Sequence, residues 1–128
     1  MQITINGKSY ELNFGIYFIK QMNIKHTVES GGVTQGMGVN QAIASLVMYD
    51  PVGLAEIIQA ATWINKEKPT QLDIMNYLDK DADIKKLCDS ILKELESANS
   101  TKAQVKNVLK TMKAAQQRAM KMSLEQSV

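Results

Sequence analysis

The chain has 128 residues, 45% of them hydrophobic and 22% charged, with a formal net charge of +2. That length suits one domain burying roughly two-thirds of its unfolded surface. No apolar stretch approaches the roughly 18 residues that span a bilayer, and a single cysteine, Cys88, leaves no internal disulfide. The chain therefore reads as soluble and intracellular. Its charge is unevenly spread: residues 1–100 hold nine Lys and twelve acids, residues 101–128 six cations and one Glu. A mildly acidic body thus carries a basic C-terminal arm. Eight Met against seven aromatic residues favour adaptable packing or adaptable contact surfaces.

Residues 1–13 read as a β-hairpin turning at Asn6-Gly7, because both central positions of the favoured two-residue turn need positive φ. That register sets Ile5 opposite Lys8, Ile3 opposite Tyr10 and Met1 opposite Leu12 on one packed face. Gln2, Thr4, Ser9 and Glu11 take the wet face. Residues 14–24 form a short apolar helix with Asn13 as its expected cap. From Lys25 to Gly38 the chain has four glycines and no sustained apolar period, which predicts a mobile loop. A helix follows over residues 39–49.

Asp50-Pro51 then starts the helix around which the fold is expected to gather. The Asp carboxylate caps free backbone N–H groups, and Pro fits the first helical position. Glu56, Gln59, Thr62 and Asn65 recur every third residue and drift round the helix, so no broad polar face forms. The expectation is a central, buried helix through Asn65 that carries the only Trp, Trp63. Lys66 to Pro69 break it, and Thr70-x-x-Asp73 opens a short helix in the manner of a capping box. Residues 81–97 place Ile84, Leu87, Cys88, Ile91, Leu92 and Leu95 on one amphipathic stripe. After a break at 97–100, residues 101–122 put Val105, Val108, Leu109, Met112, Ala115, Ala119 and Met122 on one side. Lys102, Lys106, Lys110, Lys113 and Lys121 share an arc of the other. The expected fold class is α+β, mainly helical: an N-terminal β-hairpin packed with five or six α-helices. Two parts are expected, 1–100 as the domain and 101–128 as a basic amphipathic helix or arm.

The candidate motifs for chemistry fail one by one. Asp79-Lys80-Asp81-Ala82-Asp83 opens like a calcium loop, but Ile84 and Ser90 stand where its Gly and Glu belong. Helix capping explains these acids better. Gly31, Gly32, Gly36 and Gly38 follow a helix rather than a strand and lack the Lys-Ser/Thr of a phosphate cradle. His26, the single histidine, has no second ligand at metal spacing. Cys88 sits within an apolar stripe, where a thiol behaves as a small hydrophobe. No catalytic residue, cofactor or metal is assigned, and an enzyme is not expected.

The basic helix is the feature that points to a partner. It holds one Arg and no aromatic residue, which argues against nucleic acid. Its apolar side is Val, Ala and Met, which argues against membrane insertion. A protein partner fits best, with Lys102, Lys106, Lys110, Lys113, Lys121, Met112 and Met122 as the candidate contact residues. A small nucleic-acid-binding regulator using the same helix is the alternative, and steep salt dependence would mark it.

The order of segments carries a further signal. ITINGKSYELNFGIYFIKQM, the Gly-rich connector, DPVGLAEIIQAATW, Pro69-Thr70 and LCDSILKELESAN run in the sequence found in a known family. The chain resembles, over residues 2–99, the tail assembly chaperones of long-tailed phages (siphoviruses) and prophages of Gram-positive bacteria. The resemblance implies a non-enzymatic assembly factor of the host cytoplasm. Such a factor associates with the tape measure protein, helps recruit tail tube subunits, works as a homo-oligomer and is absent from the finished virion. It brings no catalytic residues to transfer.

Overall fold

The computed structural model describes residues 1–126. The chain opens on an antiparallel hairpin, β1 (Gln2–Ile5) and β2 (Lys8–Glu11), in the register set by the Asn6-Gly7 turn: Ile3 faces Tyr10 and Ile5 faces Lys8. Asn6 and Gly7 adopt φ of 52° and 77°, the left-handed pair this turn demands. Ile3, Ile5, Tyr10 and Leu12 are buried on one face, as the alternation predicts.

Helix α1 (Ile16–Lys25) follows. Asn13 does not cap it; Gly15 holds that position without a side-chain bond. The Asn13 backbone N–H instead donates to the Ala61 carbonyl at 2.9 Å, and its side-chain amide donates to Asn65 Oδ1 at 2.8 Å. Asn65 in turn donates to the Glu11 carbonyl at 2.9 Å. These bonds tie the hairpin exit to the end of another helix, a long-range use of Asn13 that a local cap reading does not reveal.

The 25–38 segment is not an irregular loop. It contains a second antiparallel hairpin, β3 (Thr27–Ser30) and β4 (Val33–Gly36), pivoting on Gly31-Gly32 at φ of 58° and 79°. Its side chains lie outside the core, which is why no apolar period marks it.

Four helices then build the body: α2 (Gly38–Val47), α3 (Pro51–Ala61), α4 (Gln71–Lys80) and α5 (Ile84–Ser97). Met37, at the start of α2, offers no cap, and Asn23 of α1 substitutes by accepting from the Gly38 N–H at 2.8 Å. Asp50 caps α3 through the Val52 N–H, with Pro51 at the first position. Thr70 and Asp73 form the expected capping box on α4. Asp83 caps α5 through the Lys86 N–H. The acids of the calcium-like stretch thus include a helix cap. Helix α3 packs against α1, α2 and α4, and α2 against α1, α3, α5 and α6 (Lys102–Gln126). Gly53 allows the α2–α3 approach, since a Cβ there would overlap the Ser45 hydroxyl.

The expectation for the end of α3 is corrected. Ile57 and Ile58 are fully buried, but the helix stops at Ala61, and Trp63 and Ile64 are 47% and 53% exposed. Buried Thr62 turns the chain, its hydroxyl donating to the Ile58 carbonyl at 2.9 Å. Residues beyond that turn no longer follow the helical phase, so Trp63 faces outward.

The α5 stripe buries Leu87, Cys88, Ile91 and Leu95. Thr101, itself buried, donates to the Leu95 carbonyl at 2.7 Å and fixes the turn into α6. Helix α6 divides along its length. Val105 and Val108 belong to the core, and Leu109 and Met112 pack against it. Every side chain from Lys113 to Gln126 is exposed. Fourteen helical residues, about 21 Å at 1.5 Å each, therefore stand away from the body.

Candidate partner-binding surfaces

The sequence-predicted contact residues fall on both parts of α6. Lys102, Lys106, Lys110, Lys113 and Lys121 are all exposed. Met112 packs against the core, whereas Met122 is 60% exposed. The lysine arc is intact, and the apolar stripe continues past the docked segment as Ala115, Ala119 and Met122. None of the five lysines takes part in an ion pair among the described residues.

A second surface escapes sequence reasoning because the chain assembles it from distant segments. A cleft of about 390 Å³ opens between the first hairpin, α1 and the end of α3. Leu12, Phe14, Tyr17, Ala60 and Ile64 supply its apolar walls, and Glu11 and Glu94 its acids. Tyr17 is 59% exposed; Ile16 and Trp63 are exposed as well, Trp63 lining a smaller pocket between α1 and α3 that shares Ala60 with the cleft. The Lys68 ammonium sits 4.5 Å from the centre of the Trp63 ring, within cation–π range. Exposed Tyr and Trp beside aliphatic side chains are the residue types that dominate binding energy at protein interfaces. The one readable signal is a lone Trp placed just past a β-branched Thr.

The third surface is an apolar groove of about 410 Å³ between the start of α3, the outer face of α4 and the start of α5. Val52 and Met75 are among its exposed walls, and Asp79 stands on its rim.

The titratable groups do not converge on a reactive centre. His26 Nε2 contacts Glu56 Oε1, joining the base of the second hairpin to α3. Cys88 is buried, and burial, aided by the carboxylates of Asp89 and Asp50, pushes its thiol above the usual range. Such a thiol is a poor nucleophile at neutral pH. Lys85 donates to Asp89 at 2.9 Å, and this bond holds the Asp89 carboxyl below its usual range. Among the described residues no group of three or more His, Cys, Asp or Glu is placed to hold a metal ion. Nor is any helix among them long and apolar enough to cross a membrane.

What the arrangement offers is exposed apolar and basic surface on a helical body. Comparison with known families gives the decisive observation: the model for the phage tail assembly chaperone protein, TAC, matches residues 2–110. The chain belongs to the phage tail assembly chaperone family. The match extends past residue 100 and ends within α6, two residues short of the last docked side chain, Met112. It therefore takes in both hairpins, all of the aromatic cleft but Met1 and most of the docked part of α6, while the projecting part of this chaperone lies beyond it. No curated protein and no solved structure matches the chain.

Proposed function

We propose that this chaperone acts without catalysis in the host cytoplasm, as several copies that bind the tape measure protein, keep it soluble and help recruit tail tube subunits. It leaves before the virion is complete. Membership of the tail assembly chaperone family carries the reading. The exposed cleft around Tyr17 and Ile64, with Trp63 beside it, supports it as the seat for an apolar segment of the client. An amphipathic client helix would lay its apolar face into such a groove, reading i, i+3, i+4 and i+7 anchors. The lysine arc of α6 supports the same reading as a steering surface for acids on the client, an effect that salt would screen.

The test is a pair of substitutions at exposed positions. Tyr17→Asp and Ile64→Asp leave the core untouched, so circular dichroism and thermal unfolding should stay close to wild type. Co-purification of the tape measure protein should fall sharply. Undiminished binding by the doubly substituted chain contradicts the cleft as the client seat.

A further inference from the structure

The groove at α3, α4 and α5 shares no lining residue with the aromatic cleft. On α4, Leu72, Met75, Asn76 and Asp79 stand at i, i+3, i+4 and i+7, a single outward ridge. Leu72 is 69% exposed, and Val52 at the start of α3 is 68% exposed beside the groove's Pro51. Ridges of this spacing pack into the grooves of a second helix. Along the rim, the chain from Asp79 to Ile84 carries three carboxylates and one lysine, all on exposed or partly exposed positions. Beyond them Lys85 is engaged by Asp89 and exposed Lys86 follows, so residues 79–89 hold four carboxylates against three lysines. The groove is thus apolar within and negative at its edge.

The chain itself owns a complementary element. Residues 113–126 of α6 stand clear of the body, with Ala115, Ala119 and Met122 as an apolar stripe, Arg118 on its flank and Lys121 on the lysine arc behind it. Small alanines let a helix approach closely, and Met adapts to an irregular groove. In the same copy the two do not meet, because α6 continues unbroken from its docked turns and its outer half stays exposed. We propose that the projecting half of α6 seats in the α3–α4–α5 groove of a second copy of this chain. The inference deepens the several-copy reading above and does not depend on the identity of the client. Because arm and groove are different surfaces, each copy offers one of each. Such a contact either closes by reciprocal exchange or extends into longer chains.

Charge swaps on the full-length chain, without client, test this by sedimentation velocity. Arg118→Glu with Lys121→Glu reverses the arm, and Asp79→Lys with Asp81→Lys reverses the rim. All four sites are exposed, and none supplies a side-chain cap or belongs to the core. Each variant alone should weaken self-association by about tenfold or more, the scale expected for reversing charges across an interface. Mixing the two variants should restore it, since each arm then meets a groove of opposite sign. In parallel, under air oxidation, chains carrying Met122→Cys should form disulfides with chains carrying Met75→Cys, oxygen taking up the two electrons, while Cys88 stays buried. Three results overturn the proposal. One is a wild-type chain that stays monomeric across the accessible concentrations. Another is rim reversal without effect. The third is Met122→Cys chains that cross-link only with one another, which would place two arms side by side. Client binding is measured separately, so its loss or survival leaves the self-association result unchanged.

Discussion

At the scale of single residues, neighbouring side chains near the end of α3 play opposite roles. Ile57 and Ile58 are fully enclosed, whereas Trp63 is half exposed over Lys68. Truncating Ile57 to Ala removes buried methyl groups and leaves a cavity, so chemical denaturation should show a loss of about 2–5 kcal/mol. Trp63→Ala should cost far less stability. Equal costs would mean that the Trp ring is packed in the core. Cys88 gives a second residue-scale prediction. Its pKa is raised in the folded chain, chiefly by burial, so the native state holds the proton more tightly than the unfolded chain does. The stability this contributes is present below the free thiol's pKa and lost as pH rises through the raised value. Thiol labelling at pH 8 should therefore track opening of the fold and accelerate with denaturant. Fast labelling of the native protein would contradict this.

Among the elements, the most legible are those whose signal is local. The Asn6-Gly7 turn sets the first hairpin's register, Asp50-Pro51 the start of α3, and Thr70 with Asp73 the start of α4. The second hairpin escapes a periodicity reading because none of its residues from Thr27 to Gly36 is buried, so no core face imposes alternation. Gly31-Gly32 between two β-prone tetrads is the turn signal available. The overextended expectation for α3 has a different cause. Thr62 satisfies the Ile58 carbonyl through its hydroxyl and turns the chain, which an every-third-residue pattern cannot register. Helix α6 makes its own prediction. Thr101, Val105 and Val108 are buried, so the proposed division at residue 100 is a question about stability. Ending the chain after Met112 removes, among the described residues, only exposed side chains and should leave the thermal transition nearly unchanged. Ending it after Ser100 should cost about 3–6 kcal/mol, taking 1.5–3 for each buried Val. Equal stability of the two truncations would show that the docked turns contribute nothing to the fold.

Over the whole molecule, the α+β class and mainly helical content follow from periodicity, and the order of segments points to the family that the 2–110 match establishes. The partner surfaces are only half legible. The lysine arc is contiguous in sequence and can be read from spacing. The aromatic cleft draws on residues from Met1 to Ala98, and only folding brings them together. An acidic body, a basic projecting helix and two separate apolar grooves are the surfaces on which the proposed function draws. Weak, screened charge pairs and adaptable Met side chains favour reversible contacts over permanent ones.

The most direct measurement is the soluble yield of the tape measure protein expressed with and without this chain, followed by affinity capture and sizing of what co-purifies. The account predicts a client that is largely insoluble alone, soluble on co-expression and recovered with several copies of the chaperone. A client equally soluble without the chain, with none of the chain recovered on it, would contradict the account.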